Sequence, residues 1–496
     1  MTRPAIKIDH KDAIEKVGLN KDARMLIAGE MCAAADGGTM PVTDPSTGGS
    51  LGTIPVARAA DIDRAVGAAR AAFEGAYGKM APYKRAKAMI KLAELCETHA
   101  KDLATIESLD IGVPRTFTSK FSTKALSKNL EYYASWTDKQ YGEVIPGASG
   151  MLDYATREPY GVVASLISWN TPLLFVGSKL GPALATGNVV ILKPSERGSL
   201  AALRVAELVA EAGFPPGTVQ VISGDGETGR LLCEHEGIDL ISFTGGGSVA
   251  NHVLAGAAKR LTPTMMELGG KSANIIFGDA NLDKATMMSS FGIFGLSGQA
   301  CAAGSRWIVH RSVYDKMIER VSASAFNMII GDPLSPMTLI GPLVSKDHRD
   351  RVKGYIDRAQ STCRLVRAID PPPGVETGSF LGPHIFADVP KTSELWKEEV
   401  FGPVLAITPF DSDDEAIALA NDSQYGLAAA LWTSDVTRAH KVAGQLRAGT
   451  VWVNAYGTLP TTAPFGGFKK SGWGREGGRD PLFGYTQVKN VLVNLE

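Results

Sequence analysis

The sequence predicts an α/β protein of two domains, each built on a largely parallel sheet. From Tyr160 onward, short apolar segments alternate with helical patterns, and a second alternating block runs from Ser272–Phe277 to Val451–Asn454. Such alternation is typical of parallel sheets with helices on their faces. The chain has 496 residues, which exceeds the size at which a single hydrophobic core keeps growing. We therefore expect two domains that meet at a cleft.

The N-terminal part predicts a strand followed by helices. Met25–Glu30 is predicted to be a short strand followed by a turn at 36–38, and apolar residues recur at helical spacing over 62–73. A second helix is predicted from Pro82, which suits the first turn of a helix, and a third over 117–136. These helices carry no candidate chemistry.

The alternating block begins with the predicted strands Val162–Ser168 and Asn188–Pro194, and Leu200–Ala212 is predicted as a helix. Two glycine loops, Gly224–Gly229 and Gly245–Gly247, each follow a strand and precede a helix. The first has the G-x-G-x-x-G spacing of a dinucleotide loop, but the acidic residue expected about twenty residues later is absent. Each loop is therefore either a pyrophosphate cradle or an ordinary turn.

Composition narrows the functional classes. The chain has 51 basic and 52 acidic residues, so its formal charge of −1 predicts no nucleic acid partner. No apolar run approaches the length of a membrane span, and Met1–Asp12 lacks the apolar core of a signal peptide. Five scattered cysteines without a CxxC pair predict neither disulfides nor a metal site. We expect a cytoplasmic protein without a membrane partner.

The segment Gly295–Arg306, GLSGQACAAGSR, is the candidate for covalent chemistry. Cys301 lies among alanines and glycines, which leave a thiol accessible and free backbone N–H groups to stabilise an oxyanion. The alternative is a small cysteine buried at a tightly packed helix start. The segment alone does not decide between them.

Polar residues at three other strand ends are candidates for the same site. Glu267 lies between an apolar strand and two glycines, where its raised pKa suits a base, and Asn170 can donate to an oxyanion. Lys193 and Glu196 follow a strand at the edge where open α/β sheets bind ligands, and could hold a ribose. Each residue also has a structural alternative. Glu267 could cap the turn that follows its strand, and Asn170 could hydrogen-bond within its own turn. Lys193 and Glu196 could form an ion pair in solvent.

Taken together, the motifs resemble the NAD(P)-dependent aldehyde dehydrogenase superfamily. The matching segments occur in the family order: Trp169-Asn170-Thr171-Pro172, KPSE (193–196), Phe243-Thr244-Gly245, MELGGK (266–271), GQACAAGSR (298–306), KEEVFGPV (397–404) and PFGGFKKSGWGRE (464–476). The resemblance spans about Ile27 to Asn494. It implies oxidation of an aldehyde to a carboxylic acid, with hydride transfer to NAD and NADP as a possible second acceptor.

Carried over residue by residue, the resemblance makes Cys301 the nucleophile that forms a thiohemiacetal and then a thioester. Asn170 and the Cys301 N–H would hold the oxyanion, Glu267 would activate the hydrolytic water, and Lys179 and Glu476 would pass protons away. The residues implied to bind the cofactor are Ile167, Ser168, Trp169, Lys193, Glu196, Gly226, Gly229, Phe243, Gly245, Gly246, Val249, Leu268, Glu399 and Phe401. The carboxylate of Glu196 would repel a 2′-phosphate, which favours NAD.

The sequence departs from the family pattern at two positions near the cofactor. Ser168 stands where a proline or alanine is common, and Gly246 stands where a serine usually follows FTG. A glycine there removes one hydroxyl but keeps its backbone N–H.

The aldehyde is predicted to lie in a roomy, mainly apolar tunnel that suits a medium-chain aliphatic or an aromatic aldehyde. The residues implied to line it are Thr171, Phe175, Ser178, Ala300, Ala302, Leu459 and Phe465. There are three alternatives to a hydrolytic dehydrogenase: a CoA-acylating relative, a cysteine hydrolase without a redox step, and a binding protein that kept the fold. Glu267, a base that can activate water, argues against the acylating relative. No histidine stands in a motif with Cys301, which argues against the hydrolase. The presence of Cys301, Glu267 and Asn170 together argues against a binding protein without turnover.

The resemblance also implies the fold in more detail. A Rossmann-type cofactor domain is expected over 1–133 and 153–263, and an α/β catalytic domain over 264–463. A β oligomerisation flap is expected over 134–152 and 480–496, which would pair subunits in a homodimer or a homotetramer.

Overall fold

The computed structural model describes residues 4–19, 21–147 and 149–496. Its first sheet has seven strands, of which five run parallel. In spatial order the strands are Thr264–Glu267, Leu240–Thr244, Val162–Ile167, Val189–Pro194, Val219–Val221, Met25–Ile27 and Glu30–Cys32. By chain position the parallel strands follow the order 3-2-1-4-5, read from Val219–Val221, which is the order of the first five strands of a Rossmann fold. The predicted strands at Val162 and Asn188 are thus confirmed to within one residue, whereas the strand predicted over Met25–Glu30 ends at Ile27, where a turn leads into the strand Glu30–Cys32.

The helices of this unit pack on the sheet and on one another. They are Lys11–Val17, Ala59–Glu74, Pro82–Thr98, Ala100–Ile111, Arg115–Phe117, Thr123–Ala134, Pro172–Ala185, Leu200–Glu211, Gly226–Glu234 and Gly247–Ala258, with a π-turn at Thr118–Ser122. A hairpin of Thr39–Thr43 and Ser50–Pro55 lies beside them. The helix predicted over 117–136 is shorter as an α-helix, because its first turn is widened into that π-turn.

The second sheet also has seven strands. In spatial order they are Arg364–Ala368, His384–Ala387, Val404–Phe410, Arg306–His310, Ala273–Ile276, Ala428–Trp432 and Thr450–Val453. Only Arg364–Ala368 runs antiparallel to its neighbour. The helices and 3₁₀ turns of this unit are Leu282–Phe294, Gly295–Gly298, Arg311–Val313, Tyr314–Asn327, Lys346–Ala359, Glu394–Lys397, Asp413–Asn421 and Val436–Ala443. Two buried apolar clusters, one on each face, confirm a second α/β core.

A separate three-stranded sheet combines Glu143–Ile145, Met151–Pro159 and Thr486–Asn494. The short helix Asp480–Gly484 precedes the last strand, and Tyr425–Gly426 pairs with Phe468–Lys469 elsewhere. Apolar side chains stand exposed on this sheet, with Val144 76% and Val488 61% accessible. The three-stranded sheet is thus distinct from both seven-stranded sheets.

The predicted domain ranges stay a proposal, and the strands suggest where to place their boundaries. The strand Met151–Pro159 continues across the boundary expected at residues 152 and 153, and Thr264–Glu267 belongs to the first sheet. We therefore propose boundaries after Pro159 and after Glu267. Residues 1–3, 20 and 148 of the predicted ranges lie outside the described residues. No helix in the described part of the chain is long and apolar enough to cross a membrane.

Candidate functional site

A cleft of about 550 Å³ opens where the carboxyl ends of the first sheet face the second unit. The strands Val162–Ile167 and Leu240–Thr244 are neighbours in the sheet, but they are the first and fourth parallel strands in chain order. The strand order therefore reverses between them. Open α/β sheets bind ligands in the crevice at such a switch point. The candidate residues of both units meet here.

The thiol of Cys301 lies in this cleft, in a loop between the 3₁₀ turn Gly295–Gly298 and the strand Arg306–His310. Leu296 and Ser297 have φ of 53° and 56°, a left-handed backbone that non-glycine residues seldom adopt. The Ser297 hydroxyl holds this turn by donating to the Gly341 carbonyl at 2.8 Å. Cys301 is partly exposed in the loop that follows this strained turn, so the alternative of a cysteine buried in a helix start is wrong.

The environment of Cys301 keeps its thiol protonated in the absence of ligands. Burial raises the pKa of the thiol to about 12, and the carboxylates of Glu399, Glu267 and Glu476 add to the shift. The backbone of Ala302 beside the sulfur acts on this pKa in the opposite direction. A base must therefore remove the proton before the sulfur can attack.

Glu267 ends the strand Thr264–Glu267 and lines the same cleft. Neither of its carboxylate oxygens has a hydrogen-bond partner among the described residues, so it does not cap a turn. Burial, and then the neighbouring Glu476, raise the pKa of Glu267 well above its usual value. Close glycines make this burial possible, since a Cβ at Gly466 would lie 2.8 Å from Glu267 Oε1. The arrangement suits a carboxylate that exchanges a proton near neutral pH.

Asn170 lies just beyond the strand Val162–Ile167, two residues before the helix Pro172–Ala185. It is only 5% exposed, and it lines the cleft with Cys301. No side-chain hydrogen bond of Asn170 is formed within the described chain, so its amide does not satisfy its own turn. The amide is free to donate to a ligand.

Behind Glu267, Lys179 and Glu476 form a buried ion pair with an N–O distance of 2.7 Å. Burial alone would lower the pKa of Lys179, but the charge of Glu476 and the other acidic groups around it raise it. Thr244 donates its hydroxyl to Glu476 at 3.3 Å, and Glu476 pairs through its backbone with Phe465. Only Glu476 of this pair lines the cleft.

The far end of the cleft presents a helix N-terminus. The helix Gly247–Ala258 begins beside the loop Gly245–Gly246, and no atom lies within 4 Å of the Cβ positions of Gly246 and Gly247. Free N–H groups at a helix start favour a phosphate. The other glycine segment, 224–229, is not a simple loop, because the helix Gly226–Glu234 begins within it. The carboxylate of Asp225 caps this helix and forms an ion pair with Arg58 at 2.8 Å.

Lys193 and Glu196 also line the cleft but form no ion pair with each other. Lys193 is buried and donates to the carbonyl of Pro194 at 3.1 Å. Burial lowers the pKa of Lys193, while Glu196 and Asp225 oppose the shift. The alternative of a solvated ion pair is therefore wrong. Two hydrogen-bonding groups of opposite charge at this edge suit the hydroxyls of a ribose.

Glu399 approaches the site through a gap that only glycine leaves open. A Cβ at Gly269 would lie 2.0 Å from Glu399 Oε2, and the Gly270 N–H donates to Glu399 Oε1 at 2.8 Å. Burial raises the pKa of Glu399 to about 7. Phe401, two residues on, has a left-handed φ of 59° and stacks edge-on with Trp169 at 5.3 Å.

Two residues of this region were missed from the sequence. His348 lies 2.8 Å from the carbonyl of Phe401 through Nε2, and Arg351 donates to the carbonyls of Val400 and Glu399 at 3.1 Å each. Both lie on one face of the helix Lys346–Ala359 and line the cleft. The one available signal was their spacing of three residues, which places them one helical turn apart.

The cleft brings together nearly all the predicted site residues. The catalytic candidates among them are Asn170, Glu267, Cys301 and Glu476, and the cofactor candidates are Ile167, Ser168, Trp169, Lys193, Glu196, Gly226, Gly229, Phe243, Gly245, Gly246, Val249, Leu268, Glu399 and Phe401. Of the predicted tunnel residues, Phe175 and Phe465 line it. The five others lie outside this cleft lining: Thr171, Ser178, Ala300, Ala302 and Leu459.

Comparison with known proteins gives consistent results. The profile of the aldehyde dehydrogenase family matches residues 32–491. The NADP/NAD-dependent aldehyde dehydrogenase PuuC of Escherichia coli (strain K12) is 42% identical over 479 residues, covering 95% of this chain and 96% of that protein. The NAD⁺ complex of an aldehyde dehydrogenase from Bacillus cereus superposes with a TM-score of 0.94 at 40% identity, covering 99% of this chain and 100% of that one. A crystal structure of an indole-3-acetaldehyde dehydrogenase with NAD⁺ gives 0.95 at 39% identity over the same shares.

Proposed function

The chain belongs to the aldehyde dehydrogenase family, whose members oxidise aldehydes to acids with NAD(P), and we propose that Cys301 is its nucleophile. The observation that carries the proposal is the convergence of a thiol, an unpaired carboxylate and an unpaired amide on one cleft, from Cys301, Glu267 and Asn170. These are the groups that attack, proton transfer and oxyanion stabilisation require.

Attack begins with removal of the thiol proton, and Glu267 is the proposed acceptor. The thiolate of Cys301 then bonds to the aldehyde carbon, and the resulting oxyanion receives hydrogen bonds from the Asn170 amide and the Cys301 N–H. When bound, the nicotinamide cofactor supplies the hydride acceptor that converts this thiohemiacetal into a thioester. Glu267 then releases the thiol proton toward solvent and becomes a carboxylate again. It takes a proton from water, the water oxygen attacks the thioester carbon, and the acid leaves as the thiolate reforms.

The residues around the cleft fit a dinucleotide. The open glycines at the start of the helix Gly247–Ala258 would receive the pyrophosphate, and Lys193 and Glu196 would hold the adenosine ribose. Glu399 would hold the nicotinamide ribose in the gap beside Gly269. The negative charge of Glu196 is the reason we propose a preference for NAD over NADP.

Protons from Glu267 have a proposed route through the buried pair of Lys179 and Glu476. Glu476 interacts electrostatically with Glu267 and lines the cleft, while Lys179 lies behind it.

The aldehyde is proposed to be medium-chain aliphatic or aromatic, because apolar Phe175 and Phe465 line the cleft. Similarity to an indole-3-acetaldehyde dehydrogenase supports the aromatic option.

The exposed three-stranded sheet supports a proposed assembly into homodimers or homotetramers. Val144 and Val488 expose most of their side chains on it, and apolar sheet faces of this kind commonly pair between subunits. The cytoplasmic location predicted from the cysteines stays a prediction.

NADH formation at 340 nm with a panel of aldehydes and no CoA tests the proposed activity. Turnover without CoA argues against an acylating enzyme, and reduction of NAD argues against a cysteine hydrolase and a binding protein. A Cys301→Ser variant should lose turnover, and wild-type rates in that variant would refute the nucleophile. Highest specific activity on acetaldehyde or on a cationic aminoaldehyde would contradict the proposed substrate class.

A further inference from the structure

Two buried carboxyl groups lie on the helix Ala100–Ile111, outside the cleft lining. Glu107 and Asp110 are three residues apart, which places them on one face of the helix. They are 0% and 2% exposed, and burial raises the pKa of Glu107 to about 7 and that of Asp110 to about 8. No cation contributes to either shift. A carboxyl group buried without a cation is unfavourable unless hydrogen bonds satisfy it, so its partners indicate what it does.

Glu107 caps the helix that follows Asn170. The helix Pro172–Ala185 has no side-chain cap of its own, and Pro172 lacks an N–H, so Leu173 carries the first unpaired donor of this helix. The Leu173 N–H donates to Glu107 Oε1 at 3.0 Å. A carboxyl group from another segment thus takes the place of a capping side chain just after Asn170.

Asp110 acts in the same way on the helix that follows Glu196. This helix, Leu200–Glu211, also lacks a side-chain cap, and the N–H of its first residue donates to Asp110 Oδ2 at 2.8 Å. The turn before it is closed by the hydroxyl of Ser199, which donates to the Ser195 carbonyl at 2.7 Å. Asp110 therefore holds the end of the turn that carries Glu196.

The two turns at the sheet edge also contact each other. A Cβ at Gly198 would lie 3.1 Å from the Cα of Trp169, the neighbour of Asn170. The same Cβ would lie 3.0 Å from a methyl carbon of Ile111, the last residue of the helix that carries both carboxyl groups. This helix thus contacts both of the turns that lead from a parallel strand into a helix.

We propose that these two carboxyl groups are positioning residues for different parts of the proposed reaction. Glu107 fixes the backbone that presents the Asn170 amide to the oxyanion, and Asp110 fixes the turn that presents Glu196 to the adenosine ribose. The Asn170 side chain makes no hydrogen bond within the described chain, so its position depends on the backbone that carries it. The inference rests on the proposed function.

Leucine at either position removes the acceptor and leaves the N–H of a helix start unpaired. Glu107→Leu should lower kcat for aldehyde oxidation roughly tenfold, less than the roughly hundredfold loss expected without the Asn170 amide itself. Its KM for NAD should stay within about twofold of wild type. Asp110→Leu should raise the KM for NAD roughly three- to tenfold, the equivalent of one ordinary hydrogen bond, and leave kcat within about twofold.

The two leucine variants are matched controls, because each removes a fully buried carboxyl group from the same helix. A merely structural role would change kcat and KM alike in both variants, or in neither. The same kinetic change in the two folded variants would therefore overturn the inference, as would wild-type kinetics in both.

A double variant tests whether Glu107 acts through Asn170. In the Asn170→Ala background, the effect of Glu107→Leu on kcat should disappear, because the amide that Glu107 positions is gone. Persistence of the full tenfold loss in that background, as a roughly additive effect, would show that Glu107 acts by another route and would refute the inference.

Glutamine and asparagine are the conservative variants. A carboxyl group in either protonation state keeps an oxygen that can accept an N–H, and so does an amide. Glu107→Gln and Asp110→Asn should therefore keep kcat and KM within about twofold of wild type, and a folded Glu107→Gln with a tenfold lower kcat would contradict the role of the acceptor. Should Glu107→Leu not fold, Glu107→Met, of similar length, takes its place with the same expectation. If Cys301→Ser loses turnover while the leucine variants keep wild-type kinetics, the proposed function stands and this inference falls.

Discussion

A methyl group at Gly269 should disable the nicotinamide end of the cleft without touching the nucleophile. In the structure, the added Cβ would lie 2.0 Å from Glu399 Oε2 and 2.6 Å from its Cδ. Those distances are far inside van der Waals contact, so the carboxylate must leave the gap. It then also loses the hydrogen bond from Gly270, which measures 2.8 Å.

The size of the effect follows from the bonds that Glu399 makes. A hydrogen bond to a charged group contributes about 1.5–3 kcal/mol, and each 1.4 kcal/mol corresponds to a factor of ten. Gly269→Ala should therefore lower kcat/KM for NAD by roughly 10- to 100-fold, from loss of one such bond to the ribose. The KM for the aldehyde should change much less, since Glu399 is proposed to contact only the cofactor.

Initial rates of NADH formation at saturating aldehyde and varied NAD measure this effect. Gly67→Ala is the control, because Gly67 lies inside the helix Ala59–Glu74 with no atom within 4 Å of its Cβ position. An alanine there should leave the kinetics unchanged and stabilise the helix slightly. If Gly269→Ala were folded and kept its kcat/KM for NAD, the placement of Glu399 at the ribose would be wrong.

Three further predictions concern other parts of the molecule. Asn170→Ala should lower kcat by about 100-fold, or about 3 kcal/mol, through loss of an oxyanion donor; a stopped-flow trace in which acylation is unslowed would argue against that role. Lys179→Met should destabilise the fold by about 3–5 kcal/mol in urea unfolding because it leaves Glu476 buried and unpaired, and Glu476→Gln in the same chain should recover most of the loss. His10, which contacts Asp44 at 2.7 Å and Asp332 at 3.0 Å, has a pKa raised from 6.5 to about 9; burial opposes the shift and the two aspartates outweigh it. A raised pKa means that its contribution of about 3 kcal/mol is complete below pH 6.5 and is lost as the pH rises through 9, so urea midpoints should fall over that range more steeply in the wild type than in His10→Gln.

The fold was largely predictable because its signals are local. The strand Val162–Ile167 and the helix start at Pro82 came from apolar periodicity and proline position, which depend on residues a few positions apart. The alternation of strands and helices then restricted the topology to a parallel sheet. The π-turn at Thr118–Ser122 was not predictable, since its sequence has ordinary helical periodicity.

In the candidate site, too, the features that could be predicted from the sequence are the local ones. Sequence alone determined that Cys301 has small neighbours, that Glu267 ends an apolar strand, and that glycines follow the strands of the cofactor domain. These features depend on consecutive residues, so the sequence was enough to identify them, whereas only the structure shows that Cys301, in the second unit, faces the strand ends of the first.

Tertiary structure alone decided which distant groups meet. Lys179 pairs with Glu476, and Tyr456 reaches the carbonyl of Ala302, across stretches of chain that no periodicity connects. The burial that raises the pKa of Glu267 likewise comes from other segments, including the glycine at 466. The physical reason is that spacing along a chain predicts which face a residue occupies, whereas contact and desolvation depend on what packs against that face.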